Sequence, residues 1–327
     1  MPVSTPGNYD GGAAASEAQP TLVTPSFLRD WPLPAAGEDK YSRGSVLVVG
    51  GARATPGAVL LAGTAALRAG AGKLTLAVAE SAAVHVGVAL PECGSIGLPE
   101  NSDGSVLASG LDRISSYLER ADAVLVGPGL DDLDLAEDLL AAMLERDSAA
   151  REEPDGDAGR DGGPAVVLDA YALGALLRLE NKLDPWRGRL ILTPNPNEAA
   201  VLLGRDAGDL GADTLEAAVT EVAARYDAVV SCQGVIARPP GNGRGEPDLW
   251  KITTGYGGLG TSGSGDVLAG AIAGLRARGT TGPQAACWGT HLHAAAADRL
   301  ASRMGPLGFL ARELADELPA LMLELGS

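Results

Sequence analysis

Residues Ser45–Val78 read SVLVVGGARATPGAVLLAGTAALRAGAGKLTLAV. The first five, Ser45–Val49, are apolar and mostly β-branched, the pattern of a strand buried on both faces. The run ends in Gly50-Gly51. Pro56-Gly57-Ala58 then opens a helical pattern through Leu60, Leu61, Ala65 and Leu67, and Gly70-Ala71-Gly72 stops it. Lys73–Val78 reads as a second strand. Strand, helix and strand in this order make a parallel βαβ unit. A glycine-containing loop sits at the first strand's carboxyl end, where open α/β sheets bind ligands. The loop lacks the GxGxxG fingerprint, which argues against a dinucleotide-binding fold of that type.

Working outward, the same unit recurs. Ala123–Val126 runs into Gly127-Pro128-Gly129-Leu130, Ala165–Leu168 into Asp169-Ala170, Leu190–Leu192 into Thr193-Pro194-Asn195-Pro196-Asn197-Glu198, and Ala228–Val230 into Ser231-Cys232-Gln233-Gly234. Strands alternating with helices predict a mainly parallel, doubly wound α/β sheet. Met1 to Gly37 is rich in Pro, Ala, Ser and Gly and reads as a mobile leader, with a docked segment near Phe27–Leu33. The domain proper spans residues 38–327. The charged, glycine-rich run Arg151–Gly163 reads as a surface insertion, bounded at 148–164. Arg238–Asp248 is a second such loop and leads to Leu249–Ile252, read as an edge strand. Gln284 to Leu325 is read as helical, with Leu307, Leu310, Leu314, Leu318 and Leu321 on related faces.

Composition limits the partners. A formal net charge of -17 argues against non-specific nucleic-acid binding, although amides and a few cations in a cleft can still hold an anionic nucleotide. Aromatics are 4% of the chain, too few for base-stacking platforms. No apolar run reaches membrane-spanning length and no secretory signal is evident. Cys93, Cys232 and Cys287 have neither disulfide nor metal spacing, as expected of a cytoplasmic protein.

The chemistry concentrates in Thr253–Leu275, TTGYGGLGTSGSGDVLAGAIAGL. A glycine-rich loop passes into a helix carrying Val267, Leu268, Ala271, Ile272 and Leu275 at helical spacing. At the junction, the amides of Gly263, Ser264 and Gly265 can turn toward an anion, and the helix start adds partial positive charge. Asp266 aims a carboxylate at the same place. Anion cradle plus acid/base carboxylate suits transfer of a phosphoryl group to or from an alcohol. The alternative is a plain Asp N-cap after a flexible loop.

With these pieces assembled, the chain from about Lys40 to Leu325 resembles the ADP/ATP-dependent NAD(P)H-hydrate dehydratases of the ribokinase-like superfamily. The most specific part is GLGTSGSGDVLAGAIAGL. GGARATPGAVLLAGTAALRAGAG, Pro91-Glu92, Gly127-Pro128-Gly129-Leu130, Leu168-Asp169-Ala170, and His293 with Asp298 in HAAAAD match shorter signatures. The resemblance implies a standalone three-layer α/β/α domain with no epimerase domain in front, and a metabolite-repair lyase. ADP, favoured over ATP and converted to AMP, would phosphorylate the ring hydroxyl of the S-epimer of hydrated NADH or NADPH. Loss of phosphate, assisted by the ring nitrogen, would restore the double bond.

In that scheme Asp266 is the catalytic base, Gly263, Ser264 and Gly265 hold the phosphoryl group, and Gln233 and Gly234 bind nucleotide. Ala58, Gly129, Asn195 and Asp266 contact the hydrate, and Glu198 organises Mg2+. A homo-oligomer is also implied. His293 reads as a core histidine and Asp298 as a loop anchor. Six residues at four sites depart from the pattern. Gln233 replaces a lysine, Tyr256-Gly257 an Asn-Pro, Tyr171 an Asp, and Asn195 and Asn197 a His and a Gly. Arg53 is a candidate to offset the missing lysine. Asn195-x-x-Glu198 recreates a magnesium-organising pattern of ribokinase-like kinases. That keeps a small-molecule kinase acting on a hydroxymethylpyrimidine or sugar-like alcohol as one alternative, and a catalytically impaired nucleotide-binding relative as another.

Overall fold

The computed structural model describes residues 19–35, 37, 39–152, 163–240, 247–255 and 257–326. Ten strands form one sheet: β1 (Thr21–Val23), β2 (Ser45–Val49), β3 (Lys73–Ala79), β4 (Gly94–Leu98), β5 (Ala123–Val126), β6 (Ala165–Leu168), β7 (Leu190–Leu192), β8 (Ala228–Cys232), β9 (Val235–Arg238) and β10 (Asp248–Ile252). Their spatial order is β1-β10-β9-β8-β7-β6-β5-β2-β3-β4. The seven strands from β8 to β4 run parallel; β9 is antiparallel to both its neighbours, and β1 is parallel to β10.

The pleat sorts side chains to two cores. Val46 and Val48 of β2 enter the core shared with α2 (Gly57–Arg68), α9 (Ser264–Ala277), α10 (Gly282–Met304) and α11 (Ala311–Glu324). Leu47 and Val49 enter the opposite core with α4 (Leu111–Arg120), α5 (Leu133–Glu152), α6 (Tyr171–Leu176) and α8 (Leu215–Tyr226). The result is a three-layer α/β/α sandwich around a mainly parallel sheet, as the sequence predicts. The remaining helices are α1 (Pro25–Asp30), α3 (Glu80–Ala89) and α7 (Pro196–Leu202). Close approach of α2 and α9 depends on small residues: a Cβ at Gly270 would lie 2.0 Å from the Ala62 carbonyl oxygen, and one at Gly274 would lie 2.4 Å from that of Ala66. This contact seats the start of α9 over the carboxyl ends of the strands.

Several expectations change. The leader does not extend to residue 37: Thr21–Val23 pairs with β10, and Val23, Leu28 and Leu33 are buried. Leu249–Ile252 is therefore an interior strand rather than an edge, because β1 and β9 flank it. α5 runs on through Glu152, into the stretch expected as a surface-loop insertion, and residues 153–162 lie outside the described set. β8 takes in Ser231 and Cys232. Leu307 and Leu310 precede α11 and are exposed, so its buried face begins at Ala311 and its inward leucines at Leu314. Among the described residues no helix is long and apolar enough to cross a membrane.

Candidate active site

The loops at the carboxyl ends of β2, β5 and β6 are locked together by backbone. The Gly51 amide donates to the Pro128 carbonyl and the Ala52 amide to that of Gly129, both at 2.8 Å. Thr55 Oγ1 also donates to the Gly129 carbonyl, at 2.8 Å. Gly127 has φ +127°, and a Cβ there would lie 1.8 Å from the Asp169 carbonyl oxygen, so only glycine lets the β5 and β6 loops touch. Ala58 sits in the first turn of α2, against Gly129. The two expected hydrate contacts, Ala58 and Gly129, are thus neighbours.

Asp169 ends this arc and is the residue that sequence reasoning did not nominate. It is 6% exposed and accepts a hydrogen bond from Thr193 Oγ1 at 2.9 Å. Burial raises its carboxyl to about 6. The next residue, Ala170, holds φ +50° and ψ -127°, a conformation unusual for alanine and typical of strain kept at functional sites.

Above it stands the first turn of α9. Gly263 is the N-cap, with φ +87°, and a Cβ there would meet Leu61 of α2 at 2.4 Å. The plain Asp-cap alternative therefore fails: Asp266 is three residues inside the helix and half-buried. Its carboxyl is raised to about 7, first by burial and then by the charge of Asp169. The expected cradle needs one revision. The Ser264 amide donates to the Thr261 carbonyl at 3.2 Å, which leaves the amides of Gly263, Gly265 and Asp266, with no acceptor inside the helix, to face an anion.

Asn195 and Glu198 form the N-terminal cap of α7. The Glu198 amide donates to Asn195 Oδ1 at 3.0 Å, and the Asn195 amide donates to Glu198 Oε2 at 2.8 Å. This capping box explains the Asn-x-x-Glu spacing without a metal. Glu198 is nonetheless half-buried and raised to about 7, by burial and by Asp169. Asp169 thus couples to both Asp266 and Glu198.

Gln233 and Gly234 form a two-residue turn between β8 and β9, with φ +47° and +85°, the geometry of a type I′ hairpin. Gln233 is exposed. Arg53 cannot stand in for the missing lysine as it is placed: its guanidinium is tied to Glu100, Ser81 and the Ser102 carbonyl. Tyr171 is half-exposed at the start of α6, and Tyr256 lies outside the described residues. As expected, Asp298 anchors the glycine loop, accepting the Gly255 amide at 2.8 Å. A groove of about 910 Å³ lies at the other end of β7 and β8, beside Arg189, Asp227 and Arg276. It holds none of these residues. In a parallel sheet the chemistry belongs at the carboxyl ends, where the carboxylates and the α9 turn meet.

A mainly parallel sheet whose glycine loop leads into a helix carrying an aspartate in its first turn defines the ribokinase-like class. The fold matches a ribokinase-like superfamily protein of Enterococcus faecalis with a TM-score of 0.71, covering 93% of this chain and 96% of that one at 19% identity. A family model described as NAD(P)H-hydrate dehydratase matches residues 46–320. The ADP-dependent (S)-NAD(P)H-hydrate dehydratase of Xanthomonas campestris is 41% identical over 92% of this chain and 95% of its own length. The ADP/ATP-dependent NAD(P)H-hydrate dehydratase of Bacillus subtilis, co-crystallized with ATP/Mg2+, has a TM-score of 0.73 at 26% identity, covering 94% of this chain and all of that one. The chain belongs to the NAD(P)H-hydrate dehydratase family.

Proposed function

We propose that this chain is an ADP-dependent dehydratase that returns the S-epimer of hydrated NADH or NADPH to the reduced dinucleotide. The observation that carries the choice of reaction is the 41% identity to the Xanthomonas dehydratase across nearly the whole of both chains. The geometry supports the same chemistry. The ring hydroxyl attacks the terminal phosphorus of ADP, AMP leaves, and Asp266 takes the hydroxyl proton. A carboxyl near pH 7 is poised for that exchange. The amides of Gly263, Gly265 and Asp266 at the start of α9 face the transferring phosphoryl group, and Ser264 shapes that turn. Loss of phosphate then breaks the ring's C–O bond, driven by the ring-nitrogen lone pair, and release of a ring proton restores the double bond. Ala58 and Gly129 line the hydrate side, and Asn195 closes it beside the α7 cap. Gln233 and Gly234 form the nucleotide side.

Among the described residues, no three His, Cys, Asp or Glu side chains group closely enough to hold a metal unaided. That suits Mg2+, which keeps most of its waters and leans on phosphates plus one or two carboxylates. Glu198, with Asp169 beside it, would hold the ion, which supplies charge neutralisation of the phosphates. What weighs against the kinase alternative is the 41% identity to the Xanthomonas dehydratase; the capping box gives the Asn195–Glu198 spacing a local explanation but does not separate the two readings. The family resemblance also brings a homo-oligomer, readable by light scattering, and the three unpaired cysteines suit a cytoplasmic setting.

Incubation with hydrated NADH and, in turn, ADP and ATP separates the readings. A dehydratase restores the reduced ring's near-ultraviolet absorbance. A kinase accumulates a phosphorylated alcohol without it, and a binding protein does neither.

A further inference from the structure

His293 has no role in the chemistry above, yet it is only 5% exposed, on α10 behind the first turn of α9. Its Nε2 lies 3.4 Å from Ser264 Oγ. The Ser264 hydroxyl donates to the Leu259 carbonyl at 2.9 Å, and a hydroxyl has one proton to give. Toward the imidazole, Oγ can therefore only accept, so Nε2 carries the hydrogen and the ring is the neutral Nε2–H tautomer. Burial keeps it neutral, with its pKa pushed down to about 4 against the opposing pull of the Ser264 backbone.

Five residues along α10, Asp298 accepts the Gly255 amide at 2.8 Å. These two contacts bracket residues 255–264, which include glycines 255, 257, 258, 260 and 263. Such a segment is entropically costly to hold in one conformation. At Gly255 and Gly258 the backbone lies close against its support: a Cβ at Gly255 would meet Ala294 of α10 at 2.8 Å, and one at Gly258 would meet Phe309 at 2.4 Å.

We propose that His293 is a positioning residue: its Nε2–H, together with the Asp298 carboxylate, clamps the glycine loop to α10 and so holds the first-turn amides of α9 and Asp266 in register for phosphoryl transfer. The inference rests on the reaction proposed above. A loose loop costs rate more than affinity, since misplacement of catalytic groups by about 1 Å can cost roughly a hundred-fold.

The test compares His293→Leu, which removes the donor at similar volume, with His293→Gln, which keeps an N–H. In His293→Leu, kcat should fall roughly ten- to a hundred-fold with little change in the hydrate's KM, and His293→Gln should recover most of it. The pH–rate midpoint should stay put in both, because the ring exchanges no proton in the working range. In a Ser264→Ala background, His293→Leu should add little, since Ser264→Ala has already removed the Nε2–Oγ contact along with the bond to Leu259. Amide hydrogen exchange across residues 257–266, which needs no substrate, should speed up in His293→Leu and in Ser264→Ala but not in His293→Gln.

Equal losses in the Leu and Gln variants, a shifted pH midpoint, or unchanged exchange in His293→Leu would each overturn the clamp. Should His293→Leu not fold, His293→Met, which also lacks the donor and leaves the Ser264–Leu259 bond intact, takes its place: faster exchange supports the clamp and unchanged exchange refutes it. If wild type restores no reduced ring, the dehydratase reading fails, while the exchange data still judge the clamp.

Discussion

Two turns at the carboxyl ends of the strands, Gly263–Asp266 and Gln233–Gly234, are both expected to meet nucleotide phosphate, and they are built on different principles. In the first, the backbone does the work. Gly263 takes a left-handed conformation against Leu61, a long buried helix follows, and the amides of Gly263, Gly265 and Asp266, without helical acceptors, face outward. In the second, a two-residue hairpin turns the chain, the Gly234 carbonyl accepts the Ile252 amide at 2.8 Å, and the side chain of Gln233 is exposed. A site resting on backbone geometry tolerates the loss of a nearby cation. A site resting on a side chain changes with that one residue. On the proposed reading, the missing lysine falls on the turn that adjusts affinity and not on the turn assigned the chemistry.

The largest expected effect is at the first turn. Asp266→Asn keeps the shape but cannot take the hydroxyl proton, and turnover should fall roughly a hundred- to ten-thousand-fold. Steady-state kinetics with a circular-dichroism check of the fold measures it, and activity within about three-fold of wild type would remove Asp266 from its role. Next, Gly263→Ala forces a left-handed alanine against Leu61. Strain of this kind costs about 1–3 kcal/mol, and the helix start should shift before the protein unfolds. A melting temperature and an ADP affinity both equal to wild type would show that the turn does not depend on glycine.

The carboxylate cluster gives a pH signature. Asp266 and Glu198 are raised to about 7 and Asp169 to about 6, against about 4 for free carboxyls. Between about pH 4 and 7 the folded chain therefore holds protons that the unfolded chain has released, and this cluster's contribution to stability falls as pH rises. Wild type should lose melting temperature relative to Asp266→Asn from pH 5 to pH 8, while wild-type turnover rises as Asp266 ionises. Parallel melting curves for the two proteins would contradict the raised Asp266.

At the second turn the effect is smallest. Gln233→Lys should tighten ADP by on the order of 1 kcal/mol, and less in high salt, if the ammonium reaches a phosphate from its exposed position. Calorimetric titration reads it. Weaker binding in the variant would mean that Gln233 makes a specific contact of its own.

Much of the fold was legible in the chain because the central strands are continuous apolar runs: β2, β5, β6 and β7 match their predicted limits. The outer strands were not. β1 is three residues with two exposed, β4 is GSIGL with two glycines and little burial, and β9 is hidden behind a two-residue turn. Asp266 and its glycines were legible because anion cradle and carboxylate are adjacent in sequence. Asp169 had only a weak local signal, a short signature at the end of β6, and was not named as a site residue: its coupling is to residues 29 and 97 positions away, Glu198 and Asp266. Asn195 and Glu198 show the converse, a spacing that suggests a metal and is satisfied by a helix cap.

The central claim, nucleotide-driven dehydration at the α9 turn, is tested most directly by stoichiometry. Purified protein is mixed with the S-epimer of hydrated NADH and ADP, phosphorus NMR counts AMP and inorganic phosphate, and absorbance counts restored rings. The account predicts one AMP, one phosphate and one reduced ring per turnover. AMP formed with a stable phosphorylated alcohol and no restored ring would contradict it.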